Sequence, residues 1–324
     1  METPAALPLS ALPPPLAGVR PSPLFVLVAF VLTLSFVAAA IVVAVSGMTP
    51  DIAGFSRFAA MAAVMLGLSA WCARRRLDPR VGDAALIVGT GTLSLLVCGV
   101  VSNAGLRLGF PLADANLASI DGAAGIDVGL AIEAIAGVPW LTAALSAVYN
   151  SSGVAVFGII FIVLLLGDRN TARELTATAV ESMQVVAMVS IFYPAWGAMR
   201  HFGLESLQGH GLPAGAGTYQ WPAFAHFYEG ADPLLKLSDM GGIVAFPSFH
   251  TVLALMITQT FARGSLKWPA TAWTAAIIVS AVPMGGHYVA DLVAGFVVWA
   301  LALAAVKKCG SNRPHSGDQL VRTQ

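Results

Sequence analysis

The sequence predicts an all-α polytopic membrane protein with about eight transmembrane helices, on three observations. Of its 324 residues, 57% are hydrophobic and 10% charged, and the mean hydropathy is +0.79, which is more apolar surface than a soluble chain of this length can cover. The apolar residues fall in runs long enough to cross a bilayer, which takes roughly 20 residues per helix. The basic residues collect in every second loop, as they do where the cytoplasmic loops of a membrane protein carry the positive charge.

Residues 1–23 hold seven prolines, with Glu2 and Arg20 as their charges, and read as a disordered Pro-rich tail. The run 24–45 lacks the small-residue cleavage site of a removed signal peptide and is the first span. With the run 54–73 it places two N-terminal helices in 24–82. Further runs at 84–106, 141–167, 176–197, 247–262, 268–284 and 287–306 define a six-helix membrane domain at 83–306, followed by a polar tail at 307–324. With the N-terminus inside, thirteen of the 17 Lys and Arg residues lie on the inner side, and only Arg57, Arg107, Arg200 and Lys236 lie outside. Both termini are therefore expected in the cytoplasm, with His250 and His287 at the outer face. The zero net charge gives no ground for a nucleic-acid partner. Cys72, Cys98 and Cys309 sit in or beside apolar runs without paired spacing, so they read as packing residues rather than a disulfide or zinc site.

Two outer loops are long. In 107–140, Asp114, Leu117 and Asp121 recur at helical spacing, as in a segment lying in the interface. The loop 198–245 carries His201, His210, His226, Tyr228, Glu229 and Lys236 and is the expected lid or headgroup-recognition segment. Its histidines read as solvated loop residues.

The chemistry is expected in 246–295. Phe246-Pro247-Ser248-Phe249-His250 opens one apolar pass and Gly285-Gly286-His287-Tyr288-Val289-Ala290-Asp291 opens another, with a short basic turn between them. This helical hairpin brings both histidines to one membrane level. His287 and Asp291 are four apart and share a helix face, so the carboxylate can fix the imidazole tautomer and stabilise its cation. A histidine so held serves as nucleophile or base. The plainer readings are that His packs helices through a hydrogen bond and that Ser248 merely caps a helix. An unpaired Asp in an apolar run is too costly for such a reading to cover Asp291.

Pro247-Ser248-Phe249-His250 and Ser280, His287, Asp291 resemble the second and third signature motifs of the type 2 phosphatidic acid phosphatase superfamily, a Pro-Ser-x-His and a Ser-x6-His-x3-Asp, with every spacing kept. The wording Phe-Pro-Ser-x-His and Gly-His-Tyr-x-x-Asp is similar to the inositolphosphotransferase branch, which includes inositol phosphorylceramide synthases. Lipid phosphatases of the family have Gly and Arg where this chain has Phe249 and Ala281. The family's first motif, Lys-x6-Arg-Pro, is absent, since Tyr193 and His201 stand at its ends. Arg200 is the one cation there and, by position, the candidate phosphate clamp; as a boundary residue it also reads as a snorkelling anchor. The Asp114-x-x-Leu117-x-x-x-Asp121 stretch is similar to one that precedes the catalytic core in family members.

The resemblance implies a six-helix phosphatase-type core and catalysis by His287, His250 and Asp291 through a phosphohistidine. It implies phosphate binding by Ser248, Arg200 and Ser280, with no metal and no cofactor. The implied partners are a lipid substrate and a lipid or polyol acceptor within the membrane. If a lipid hydroxyl accepts a phospho-headgroup such as phosphoinositol, the chain is a phosphotransferase; if water accepts, it is a phosphatase of phosphatidic acid or prenyl diphosphate. Outside enzymes, the same residues suit a proton relay in a transporter or a haem site. The position of the histidines at span ends and the lack of a repeat speak against a transporter.

Overall fold

The computed structural model describes residues 22–311, so most of the Pro-rich 1–23 stretch and most of the 307–324 tail lie outside the described residues. Among the described residues there are twelve α-helices: α1 Pro23–Ser46, α2 Ile52–Arg75, α3 Pro79–Leu106, α4 Asp114–Ala123, α5 Val128–Ala136, α6 Pro139–Leu165, α7 Arg169–Phe192, α8 Ala198–His201, α9 Trp221–Tyr228, α10 Phe249–Phe261, α11 Lys267–Gly285 and α12 Val289–Ser311. Two residue pairs, β1 Thr49–Pro50 and β2 Leu234–Leu235, form a short parallel bridge that ties the α1–α2 turn to the long loop. The protein is thus all-α and polytopic.

Local chemistry sets the helix ends. Ser22, Asp51, Asp78, Asp168 and Ser248 each accept a backbone N–H in the first turn that follows, which satisfies donors left free by the helix. Pro23 and Pro79 begin their helices, where the missing N–H has no partner to lose.

Six helices, α1, α2, α3, α6, α7 and α12, are long and apolar enough to cross a membrane among the described residues. The other two expected spans are α10 and α11. At 13 residues and ~1.5 Å per residue, α10 is about 20 Å long, short of the ~30 Å hydrocarbon core. It starts its course below the surface of the bundle, packed by α6, α7, α11 and α12.

The central helix is α7, which packs on α1, α3, α6, α10 and α12. It begins at Arg169, earlier than the expected 176, because its charged first turns are paired: Arg169 and Arg173 both bond the buried Asp83 of α3. It stops at Phe192, before 197, because Pro194 supplies no N–H to continue it. Polar residues along α7 face protein rather than lipid. Gln184 Nε2 donates to the carbonyl and hydroxyl of Ser94 at 2.9 and 2.8 Å. In contrast, α2 buries only Ala62 and Cys72 and packs chiefly on α3.

The Asp83 pairs and the Lys307–Glu174 pair mark one end of the bundle, at the starts of α3 and α7 and the end of α12. The starts of α10 and α12 lie at the other end. There α12 comes so close to α10 that a Cβ on Gly295 would overlap the Ser248 carbonyl. Gly295→Val is expected to overpack this crossing at a cost of ~1–3 kcal/mol. Thermal unfolding in detergent should show a clearly lower melting temperature than wild type, and an unchanged one would place the crossing elsewhere.

Candidate active site

The α10 and α12 starts bring four of the predicted residues together. His287 Nδ1 lies 3.1 Å from Asp291 Oδ2, and His287 Nε2 lies 3.3 Å from Ser248 Oγ. Asp291 Oδ2 also accepts the Tyr288 N–H at 2.9 Å, and the Asp291 carbonyl accepts the Ser248 N–H at 3.0 Å. His250 sits one helical step inside α10, its ring centre 6.0 Å from that of His287. Ser248, His287 and Asp291 are all buried.

With a carboxylate accepting at Nδ1, the ring carries its proton there and leaves the Nε2 lone pair free, directed to the Ser248 side. Nε2 thus faces the first turn of α10, where backbone N–H groups and the positive end of the helix dipole favour an anion. The glycines make room for this. Gly286 is in the left-handed conformation at φ 71°, and a Cβ on it would come within 2.7 Å of the Gly217 carbonyl oxygen.

Ser280 and Arg200 are placed differently. The Ser280 hydroxyl donates to Ile277 O at 2.7 Å within its own helix. The Arg200 guanidinium lies 3.7 Å from the centre of the Trp196 ring, in a cation–π contact, and Arg200 is exposed.

Residues from the first outer loop frame the pair. Asp114 Oδ1 accepts the Gly197 N–H at 2.9 Å and the Tyr288 hydroxyl at 3.0 Å, and its Oδ2 accepts the Trp196 N–H at 3.0 Å. Asp121 accepts the N–H groups of Val289 and Ala290, both at 2.8 Å, and so caps α12 from another element. Of the two acids of the Asp-x-x-Leu-x-x-x-Asp stretch, Asp121 therefore holds the backbone just after His287, and Asp114 ties the 196–197 backbone to the Tyr288 side chain. The sequence marked them as a pattern without a role.

Tyr149 of α6 and Tyr219 of the long loop were not foreseen. The Tyr149 ring stacks on His250, centres 4.2 Å apart and 25° from parallel, and its hydroxyl lies 3.4 Å from His250 Nδ1 and 3.0 Å from that of Tyr219. Burial pushes the Tyr219 phenol above its ordinary range, so it stays a neutral hydroxyl. The only sequence signal was a Tyr inside the apolar run 141–167.

The fold and site are those of an all-α membrane protein with two facing histidines, one of them braced by a buried carboxylate at a helix end. A sequence model of the PAP2 superfamily matches residues 115–305, well over half of the chain, and the protein belongs to that superfamily. It is accordingly a phosphatase or phosphotransferase acting on lipid-type substrates. The match runs from α4 into α12 and takes in Asp121, Ser248, His250, His287 and Asp291, beginning one residue after Asp114, while α1 to α3 precede it. In the comparisons with curated proteins and with solved structures, nothing matches.

Removing the cap from α12 frees two N–H groups beside His287. Asp121→Ala is expected to cost ~0.5–2 kcal/mol of stability, with a milder loss for Asp121→Asn, which keeps one acceptor. Melting curves of both variants would check this, and equal melting of Asp121→Ala and wild type would contradict the capping role.

Proposed function

We propose that the protein is a membrane phosphotransferase that moves a phospho-headgroup from a phosphodiester lipid to a hydroxyl acceptor through a phosphohistidine. The reading is carried by the buried Ser248–His287–Asp291 chain facing His250. His287 Nε2 attacks phosphorus in line, and the bond to the leaving oxygen breaks as His250 gives that oxygen its proton. Asp291 balances the cationic ring. The acceptor hydroxyl then loses its proton to His250 and attacks phosphorus, and the P–N bond breaks to restore His287. Ser248 Oγ and the first turn of α10 stabilise the phosphoryl oxygens. Ser280 acts by packing the end of α11, and Arg200 meets the headgroup from Trp196 at the rim.

The electrostatics favour transfer from a diester. The groups touching His287 and its neighbours are neutral or acidic, and Asp114, Asp121 and Asp291 all lie within the frame. A phosphodiester carries one negative charge, whereas a monoester dianion needs cationic partners to lose its water. Phe249 helps exclude water from the phosphohistidine. The inositolphosphotransferase-like wording of the motifs makes phosphoinositol the first headgroup to try.

Proteoliposomes with a headgroup-labelled phosphodiester lipid and a hydroxyl lipid are expected to yield a labelled lipid product. Rapid phosphate release from phosphatidic acid or prenyl diphosphate, with no labelled lipid, would return the protein to the phosphatases. His287→Ala should retain less than about a tenth of wild-type turnover, equivalent to a loss of more than ~1.4 kcal/mol of barrier stabilisation.

The collection of Lys and Arg in alternate loops supports a reading with this chemistry on the outer face and both termini cytoplasmic. Cysteines at Gly209 and Gly230 are then expected to react with an impermeant thiol reagent on intact cells, while one at Ser265 stays unlabelled. The reverse pattern would put the site on the cytoplasmic side.

A further inference from the structure

Beside His250, on the side away from α12, lies a cavity of about 370 Å³ between α3, α7, the 237–244 segment and the start of α10. That volume falls in the ~300–1,000 Å³ range of small-molecule sites. Its walls are mostly hydrocarbon, from Leu95, Met183, Val186, Met240, Ile243 and Phe249. Leu95 is 53% exposed on the outside of α3 and Val186 is buried, so the cavity runs inward from a face that meets lipid. Met240 lies against Gly99, where a Cβ would overlap its terminal methyl, and a Met side chain adapts readily to a variable occupant.

Polar groups gather in a few places on the wall. Ser102, Asn103, Tyr219 and His250 supply them. Asn103 bonds both the carbonyl and the N–H of Gly241 at 3.3 Å, which pins the 237–244 segment to α3. No Lys, Arg, Asp or Glu lines the cavity among the described residues. An anionic headgroup placed here would lose water without gaining a cation. A hydrocarbon chain, by contrast, exchanges one apolar surrounding for another, and a lone hydroxyl finds His250 and Tyr219 as partners.

We propose that this cavity binds the acceptor, a long-chain lipid with an uncharged hydroxyl, and presents that hydroxyl to His250. The proposal rests on the phosphotransferase reading and gives it a substrate class: the phosphate lies on the Ser248–His287 side, and the acceptor oxygen takes the place beside His250 that the leaving oxygen vacates, with its chain in the α3–α7 cavity. One consequence concerns α3, which precedes the residues matched to the superfamily yet builds a wall of the acceptor site.

The test is photo-crosslinking of the purified full-length protein in nanodiscs, read by mass spectrometry and independent of turnover. The probes are a diacylglycerol and a phosphatidate carrying the same diazirine in the acyl chain. The diacylglycerol probe is expected to label peptides spanning 95–103, 183–186 or 237–244, in a manner competed by unlabelled diacylglycerol and exceeding the phosphatidate probe by about tenfold. Cys98→Phe fills the cavity from α3 and should reduce this labelling several-fold. Gly242→Leu, at a position where a Cβ meets nothing, is a second block in case the first variant folds poorly. Leu34→Phe on the exposed face of α1 should leave labelling unchanged. Labelling spread evenly over α1 and α2, or preference for phosphatidate, would overturn the acceptor site. Failure of the transferase reading is a separate observation, the lack of labelled lipid product in proteoliposomes.

Discussion

A carboxyl group buried in the apolar end of a helical bundle needs hydrogen-bond partners, and those of Asp291 shape most of what surrounds it. Its Oδ2 holds both the His287 ring and the Tyr288 N–H, so the turn between α11 and α12 has one permitted course. That course needs Gly286 in a left-handed conformation and a near contact with Gly217 of the long loop. The same turn exposes the first N–H groups of α12, which Asp121 takes up. Ser248 then meets His287 because Gly295 lets α10 and α12 close together. The geometry of the His287 cluster and the packing around it thus share one cause.

The surrounding acids bear on the chemistry as well. Asp114 and Asp121 spend their charge on backbone N–H groups and the Tyr288 hydroxyl, which fixes structure without bringing a cation to the site. In the proposed mechanism a phosphate is therefore held by dipoles, those of the α10 N-terminus and the Ser248 hydroxyl. Such a site discriminates by charge, favouring a monoanion over a dianion. Arg200 lies on Trp196, so in the proposed mechanism it suits a headgroup at the edge better than the reacting phosphorus.

The helices and the cluster were legible in sequence for different reasons. Apolar runs and loop charges gave α1, α2, α3, α6 and α12 to within a few residues, because lipid imposes its thickness on sequence. The start of α7 was hidden because Arg169 and Arg173 look like loop charges until Asp83 is known to meet them from α3. The His287–Asp291 pair is local, four residues apart on one face, and so could be read directly. Tyr149 is 101 residues from His250, and the acids of α4 act on backbone groups some 80 and 168 positions away. Spacing within a sequence carries no trace of such contacts; they exist only once the helices pack.

In the proposed mechanism His287 Nε2 is the atom that carries phosphorus. Mass spectrometry of the wild-type protein, mixed with a headgroup-labelled phosphodiester lipid in the absence of an acceptor lipid and quenched in base within one turnover, tests it at that atom. With no acceptor hydroxyl to take the group, the intermediate is expected to build up as a base-stable, acid-labile headgroup–phosphate adduct on the peptide containing His287, and to be lost when His287 is replaced. An adduct on any other residue, or label that survives the loss of His287, would contradict the mechanism.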